Sequence, residues 1–365
     1  MESSVPQKIL LGHVWYHPRE RALLIMPMKD DKILITYGAG GRQTRNLIEN
    51  VLLKYFKDPA LRLLPDSASL SIFKSCADIC FTTDAYVVKP IFFPGGDIGK
   101  LSICGTINDL AVSGAKPLFI SCSLIIEEGF RISDLEKILM SMADTAMLNS
   151  VRIVTGDTKV VDSGNGDGIF ITTSGIGIKK KGLSMGIDKI KPGDAVIISG
   201  VPGMHEISIV NARENLGFKS NLKSDCASVY GLVSKVLSSS NGVKFMRDPT
   251  RGGLASVLNE IVSNMRYGIR IYEEKIPVTK GVSSFCEILG FDILNLASEG
   301  RVVMIVDSDD CEKVVSIMRK HSHGRMSSII GYVTDELPGK VVMKTKTGGE
   351  RFILMPSGRQ LPRIC

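Results

Sequence analysis

The stretch Phe93-Pro-Gly-Gly-Asp-Ile-Gly-Lys100, together with the apolar run that follows it to Pro117, decides the fold. Four apolar residues of that run recur at the spacing of a helix: Leu101, Cys104, Ile107 and Ala111. The pattern predicts a glycine turn that leads directly into a helix.

A second glycine cluster lies upstream, at Gly38-Ala-Gly-Gly41. The apolar stretch Lys32–Thr36 predicts a strand before it, and apolar residues from Leu47 onward have helical spacing. A glycine-rich loop at the start of a helix lets backbone amides approach a phosphate group. Because such turns are also common without a ligand, this cluster alone is a weak indication of phosphate binding.

The remaining chain alternates between helix and strand patterns in two halves. In the first half, residues 134–148 predict an amphipathic helix, and Val151–Val154 and Ile169–Ile178 predict strands. The basic, glycine-containing segment Lys179–Gly193 predicts a domain boundary. The second half predicts strands at 195–199, 269–272, 302–306 and 328–333, helices at 225–238, 251–265 and 309–320, and two short strands at 340–344 and 351–354.

This alternation is typical of an α/β or α+β fold with two domains. We divide the chain into an N-terminal extension (1–32), a first domain (33–180), a second domain (181–339) and a C-terminal segment (340–365). That segment begins with the two short strands. It ends in a stretch without periodicity, which predicts a mobile tail.

The composition excludes several classes of protein. Hydrophobic residues make up 44% of the sequence and charged residues 23%, as in a globular protein with a full core. Without an apolar membrane span or a signal peptide, we expect a cytoplasmic protein. The net charge is +7, but no aromatic residues accompany the basic run 179–181, so nucleic acid is not an expected partner. The eight cysteines include no Cys-x-x-Cys pair, which argues against a zinc module.

Four aspartates of the first half lie beside glycine clusters, at predicted strand ends or in the predicted helix: Asp84, Asp97, Asp109 and Asp157. Helix caps and turns explain any one of them. As a set they favour a site where Mg²⁺ lies between protein and triphosphate, because Mg²⁺ binds through one or two carboxylates plus phosphate oxygens. The sequence has no Gly-x-x-x-x-Gly-Lys-Ser/Thr motif, so the site is not of the P-loop type.

Five motifs resemble the HypE family, which belongs to the larger group of AIR-synthase-like ATP enzymes. They are Pro94–Lys100, the run Cys104–Pro117, Val154–Val160, Met246–Leu254 and the ending Pro362-Arg-Ile-Cys365. The resemblance covers residues 33–365. The ending is the most discriminating motif, because relatives in the wider group lack it.

The resemblance implies a carbamoyl dehydratase of [NiFe]-hydrogenase maturation. In this family the carbamoyltransferase HypF places a carbamoyl group on the terminal cysteine, and ATP activates the carbamoyl oxygen. Loss of phosphate leaves an S-cyano group, which passes to iron on the HypC–HypD complex. The implied fold is a homodimer whose N-terminal sheets pair, with an αβα C-terminal domain.

The resemblance also implies roles for individual residues. The terminal cysteine is Cys365 here, and Lys159 and Glu299 match residues that handle protons at the carbamoyl nitrogen. The implied Mg²⁺ ligands are Asp84, Asp109 and Asp157. The implied ATP-binding residues are Gly40, Gly41, Asp97, Lys100, Asp157, Thr158, Asp248 and Arg251.

The chemistry agrees with these residue types. An amide oxygen leaves readily only once it is phosphorylated, and the nitrogen must lose its protons to a base. A lysine serves as that base if burial or a cationic neighbour lowers its pKa. With Gly358 as a hinge, the tail places Cys365 up to about 23–25 Å away, at about 3.3–3.6 Å per residue.

Three features depart from the family pattern. Tyr37 replaces a His, Gly203-Met-His-Glu206 replaces Gly-Asp-His-Gly, and residues 1–32 form a longer leader than usual. They leave open a divergent paralogue or a non-catalytic scaffold that docks maturation partners. A further alternative is another enzyme of the group, an amide-activating synthase or a selenophosphate synthetase-like kinase. The latter would need a reactive cysteine near the first glycine loop, whereas the first cysteine is Cys76.

Overall fold

The computed structural model describes residues 41–47, 49, 68–70, 78–214, 216 and 222–357. The predicted strand Lys32–Thr36, the candidate phosphate-binding residue Gly40 and the carrier residue Cys365 lie outside these described residues. The first described element is helix α1, Gly41–Leu47.

The first half forms a five-stranded sheet with helices on one side. Its further elements are β1 (Ala68–Leu70), β2 (Ile79–Tyr86), β3 (Phe92–Phe93), β4 (Gly96–Asp97), α2 (Ile98–Val112), β5 (Ala115–Glu127), α3 (Ile132–Leu148), β6 (Arg152–Val161) and β7 (Ile169–Lys179). The strand order is β1-β2-β7-β5-β6, and β3 and β4 pair separately. Strands β5 and β6 run parallel, as expected for strands joined by the crossover helix α3.

The second half forms a seven-stranded sheet between two layers of helices. Its elements are β8 (Ala195–Ile198), α4 (Met204–Arg213), α5 (Tyr230–Ser239), β9 (Val243–Arg247), α6 (Gly253–Ser263), β10 (Gly268–Tyr272), α7 (Lys280–Leu289), β11 (Val303–Val306), α8 (Cys311–Arg319), β12 (Ser328–Thr334), β13 (Val341–Lys344) and β14 (Glu350–Ile353). The order is β14-β13-β10-β12-β8-β11-β9. Apolar side chains of α6 cover one face, and those of α5 and α8 cover the other. This arrangement confirms the α/β fold with an αβα second domain.

Helix α2 lies between the two halves. Nearly all of its side chains are buried, including Ile98, Leu101 and Ile107, because the first sheet packs on one side and α5 and β9 pack on the other. A helix that is apolar all round is expected in such a position. The predicted helix that follows the glycine turn is therefore confirmed, and it forms the junction of the two domains.

Some elements differ from the sequence prediction. The sequence predicts that a strand closes at Thr155–Thr158, but β6 continues to Val161 because it pairs with β5 as far as Glu127. Strand β2 likewise extends two residues beyond Asp84. The sequence prediction omits α4, β9 and α7, although Val282, Phe285 and Cys286 of α7 have helical spacing.

The described part of the chain contains no helix with both the length and the hydropathy needed to cross a bilayer.

Candidate active site

Asn108 connects the two domains at the centre of the molecule. Its amide group donates to the carbonyl oxygens of Ala227 (3.1 Å) and Glu299 (3.3 Å), and its Oδ1 accepts from the N–H of Val229 (2.8 Å). A buried amide with its donors and its acceptor engaged fixes its neighbours in place. Asn108 therefore holds two loops of the second domain against α2, directly beside Asp109.

Two of the predicted acids lie on the side of the first sheet that faces α2. Asp109 Oδ2 accepts from the hydroxyl of Thr82 (2.6 Å). Asp84 follows Thr82 by two residues on β2, so its side chain points to the same face. Its Oδ1 accepts from Arg251 Nη2 at 3.0 Å. An acid of the first domain thus pairs with a predicted nucleotide ligand of the second.

Two buried acids, Glu299 and Asp248, add carboxyl groups to this region; the residues are only 3% and 6% exposed. Burial raises the pKa of Glu299 well above its ordinary value, and the charges of Asp248, Asp84 and Asp225 raise it further, while Arg251 opposes them. The predicted residues Asp84, Asp248, Arg251 and Glu299 therefore share one electrostatic environment. A carboxyl group with a raised pKa is a stronger proton acceptor than an ordinary glutamate.

Two further residues, Tyr86 and Asp225, belong to the same region, although no motif in the sequence points to them. Tyr86 follows Asp84 by two residues on the same face of β2, and burial raises the pKa of its phenol, followed by the charges of Asp84 and Asp109. Asp225 Oδ1 accepts from the N–H of Glu299 (3.1 Å). The strand period of two predicts the position of Tyr86 once Asp84 is selected.

Asp97 and Lys100 stabilise the glycine turn. Asp97 is the N-cap of α2, and its Oδ1 accepts from the backbone N–H groups of Gly99 (2.7 Å) and Lys100 (3.0 Å). Lys100 Nζ donates to the carbonyl oxygen of Gly95 (2.9 Å). Gly95 has φ +102°, and a Cβ there would lie 2.7 Å from the carbonyl oxygen of Ser224, so only glycine lets the second domain approach. Nucleotide binding by Asp97 and Lys100 stays a prediction.

Within a single subunit, three of the predicted site residues lie away from the Asp84–Arg251 pair: Asp157, Thr158 and Lys159. They belong to the edge strand β6, where Lys159 Nζ lies 2.8 Å from Asp157 Oδ2 and both side chains are more than half exposed. The hydrogen bond from Lys159, followed by that from the N–H of Thr158, lowers the pKa of Asp157. In these contacts the partner of Lys159 is a carboxylate, and its side chain is 67% exposed.

The strand register separates Asp157 from Asp84. Across the sheet, Asp157 is the partner of Ser123, Ser123 of Thr172, and Thr172 of Ala85. Cross-strand partners point to the same face, so the Asp157 side chain points to the open face of the sheet, as Ala85 does. Asp84 points to the opposite face, and the two strands are three spacings apart, about 14 Å. One chain therefore does not bring these two acids to the same point.

The metal-binding prediction can be tested on the donor groups. The described residues contain no cluster of three or more His, Cys, Asp or Glu side chains that could hold a metal ion. Mg²⁺ needs only one or two carboxylates when phosphate oxygens and waters complete its coordination. The charges of Asp84 and Asp109 both raise the pKa of Tyr86, so the two carboxylates lie in the same region. They are the pair of carboxylates that suits a Mg²⁺ ion.

The last described residues lead to this region. Pro356 precedes Cys365 by nine positions, and its carbonyl oxygen accepts from the N–H of Arg42 (3.1 Å) at the start of α1. Gly41 has φ +72°, and a Cβ there would lie 2.4 Å from that oxygen. The ring of Pro356 also lies near Gly252, the residue after Arg251. The last described residues therefore lie beside the Asp84–Arg251 pair.

Comparisons with known proteins identify first the class and then the family. Residues 65–179 match the N-terminal domain of AIR synthase related proteins, and residues 191–344 match their C-terminal domain. The chain is 45% identical over 341 residues to the carbamoyl dehydratase HypE of Rhizobium leguminosarum bv. viciae, covering 93% of this chain and 97% of that relative. The chain belongs to the HypE family of carbamoyl dehydratases, as the motifs predict.

Solved structures agree with this assignment. The crystal structure of a HypE–HypF complex has a TM-score of 0.80 and 47% identity, with 85% of this chain and 99% of that chain covered. The crystal structure of a hydrogenase maturation protein HypE in complex with ATP has a TM-score of 0.76 and 40% identity, with 92% and 100% covered.

Proposed function

We propose that the chain binds ATP at the junction of its two domains and uses it to dehydrate an S-carbamoyl group on Cys365 to an S-cyano group. The meeting of Asp84, Arg251 and the buried Glu299 beside the base of the tail carries this proposal. The site combines a cation, metal-binding oxygens and a proton acceptor, and the complex of a relative with ATP supports the choice of nucleotide.

Arg251 and two carboxylates suit a bound triphosphate. The side chain of Arg251 is 46% exposed while it pairs with Asp84, so it is accessible to a phosphate group. Asp84 and Asp109 would hold Mg²⁺, which would neutralise charge on the transferred phosphoryl group. The two domains meet at this site, so a bound nucleotide would contact both.

Glu299 suits the proton-transfer part of the reaction. In the first step the carbamoyl oxygen attacks the terminal phosphorus of ATP, and ADP leaves. In the second step the C–O bond breaks and phosphate is released, while the nitrogen loses two protons and forms the nitrile. In sum, the thiocarbamate and ATP give the thiocyanate, ADP and phosphate. In its ionised form Glu299 is a stronger base than an ordinary glutamate, because burial raises its pKa, and this suits it to accept one of these protons. Lys159 is the proposed second proton-handling residue.

A homodimer would explain the position of Asp157, Thr158 and Lys159. The open face of the first sheet carries exposed apolar side chains on adjacent strands, including Phe81, Ile125, Ile176 and Ile178. An exposed apolar face and an unpaired edge strand are features of an interface. A second subunit on this face would cover β6, and residues of β6 would then contribute to a site that includes both subunits.

The tail connects this site to partners. The nine residue steps from Pro356 to Cys365 reach about 30 Å when extended, at about 3.3–3.6 Å each. A thiol on such a tail can enter the site and also leave it. We propose HypF as the source of the carbamoyl group, since a relative forms a complex with HypF. The HypC–HypD complex is the proposed acceptor of the cyano group, and the cytoplasm is the proposed compartment.

Phosphate release from ATP tests the proposal. The full chain is carbamoylated by active HypF, purified and mixed with Mg²⁺ and ATP. We expect one phosphate per carbamoyl group, and none from the Cys365→Ala control, which should bind ATP with unchanged affinity. ATP binding without phosphate release from the carbamoylated chain would instead support the non-catalytic scaffold.

A further inference from the structure

Glu206 is a buried carboxyl group at a position where the family pattern has glycine. It lies in the first turn of α4 and is 4% exposed. Its Oε2 accepts from the N–H of Ala297 (2.6 Å), and its own N–H donates to the carbonyl oxygen of Ala297 (3.2 Å). The side chain thus binds a loop 91 positions later in the sequence.

That loop leads directly to Glu299. Next to Ala297, the hydroxyl oxygen of Ser298 accepts from the N–H of Gly203 (2.9 Å), and the N–H of Ser298 donates to the carbonyl oxygen of Pro249 (2.9 Å). The start of α4 therefore holds residues 297 and 298 at three points, two of which Glu206 provides.

Burial of the Glu206 carboxyl group is costly for stability when that group is ionised. A buried carboxyl group resists ionisation, and burial raises the pKa of Glu206 to about 7 although the hydrogen bond from the Ala297 N–H lowers it. The carboxyl also does not cap its own helix, because it faces the loop. A group that costs stability and binds the backbone two residues before the proton acceptor points to a role in positioning.

We infer that Glu206 is a positioning residue, which holds the loop 297–299 so that the Glu299 carboxyl faces the reacting carbamoyl group. This inference rests on the proposed function of Glu299. The Glu206 side chain would then form a hydrogen bond to the Ala297 N–H that the family's glycine at this position, having no side chain, cannot form. The departure Gly203-Met-His-Glu206 is thus compatible with an active enzyme.

Two variants of similar size separate the bond from the packing. Glu206→Gln keeps an oxygen that can accept from Ala297, whereas Glu206→Met removes the acceptor and leaves that N–H unpaired. On the carbamoylated full chain, we measure the single-turnover rate of S-cyano formation, the Kd for Mg²⁺-ATP and the melting temperature. The matched control is Glu312→Met, on an exposed residue of α8.

We expect Glu206→Met to slow the single turnover about tenfold, which corresponds to about 1.4 kcal/mol, a typical cost of losing one hydrogen bond. Its Kd should stay unchanged, and Glu206→Gln should keep most of the wild-type rate. Glu206→Gly, which introduces the family residue, replaces the Met variant if that variant does not fold, and it should be slow as well.

Three results would overturn the inference: a wild-type rate in Glu206→Met or Glu206→Gly, equal losses in the Gln and Met variants, or a loss that follows ATP affinity or melting temperature. Glu299→Gln separates this inference from the proposed function. If that variant turns over normally, the proposed role of Glu299 fails. If it is inactive while Glu206→Met is normal, only the positioning role fails.

Discussion

Replacing Glu206 by Gln should change how the stability of the protein depends on pH. The pKa of Glu206 rises from its ordinary value of 4.5 to about 7 in the folded chain, chiefly through burial. Below pH 4.5 both states are protonated and the carboxyl costs nothing. Between pH 4.5 and 7 the unfolded state loses its proton first, so stability falls as pH rises.

The magnitude follows from the two pKa values. Their difference of about 2.5 corresponds to about 3.4 kcal/mol of lost stability well above pH 7, because one pKa unit is worth about 1.4 kcal/mol. About 2.5 kcal/mol of this loss should occur between pH 5 and pH 8.5. Gln does not titrate, so the variant should gain that amount relative to the wild type across this interval.

Urea unfolding followed by circular dichroism measures the effect. The free energy of unfolding is determined for the wild type and the variant at pH 5 and at pH 8.5. The variant-minus-wild-type difference at pH 5 is then compared with the same difference at pH 8.5. Any constant effect of the amide cancels in this comparison. Glu312→Gln, on an exposed residue of α8, is the surface control. An equal difference at both pH values for Glu206→Gln would refute the argument that burial raises its pKa.

Three further changes test the site and the interface. Asp109→Asn should weaken Mg²⁺-ATP binding about tenfold in calorimetric titrations, about 1.4 kcal/mol, and unchanged affinity would place the metal elsewhere. Asn108→Ala should lower the free energy of unfolding by about 2–4 kcal/mol in chemical denaturation, because it leaves the Val229 N–H unpaired and opens a cavity. A cost under about 1 kcal/mol would contradict the role of Asn108 as a domain connector. Ile125→Lys, at a side chain that is 40% exposed, should yield folded monomers by analytical ultracentrifugation, and a persistent dimer would place the interface on another surface.

Local patterns in the sequence predict much of the fold. The apolar spacing after Lys100 predicts α2, and the glycines before it predict the turn, because both depend on nearby residues alone. The family resemblance also implies site roles for Asp84, Arg251 and Glu299, which the structure places in one electrostatic environment. The cap formed by Asp97 is equally local, since its partners are two and three residues away.

Long-range contacts and strand register explain what the sequence does not predict. Asn108 bonds to residues 119 and 191 positions away, so its role appears only when the domains meet. Asp157 faces away from Asp84 because of the pairing of β6 with β5, and a register shift by one residue would reverse its side chain. Glu206 stands out in the sequence as a departure from the family, but its bond to Ala297 depends on a loop that is remote in the chain.

The most direct test of the central claim is the intact mass of the chain, with tandem mass spectrometry of its C-terminal peptide. After incubation with HypF, carbamoyl phosphate and ATP, we expect a gain of about 43 Da on Cys365, which falls to about 25 Da as the carbamoyl group becomes a cyano group. A carbamoyl adduct that forms but never loses water in the presence of Mg²⁺ and ATP would contradict the dehydratase activity. No adduct at all, with HypF of proven activity, would contradict Cys365 as the carrier.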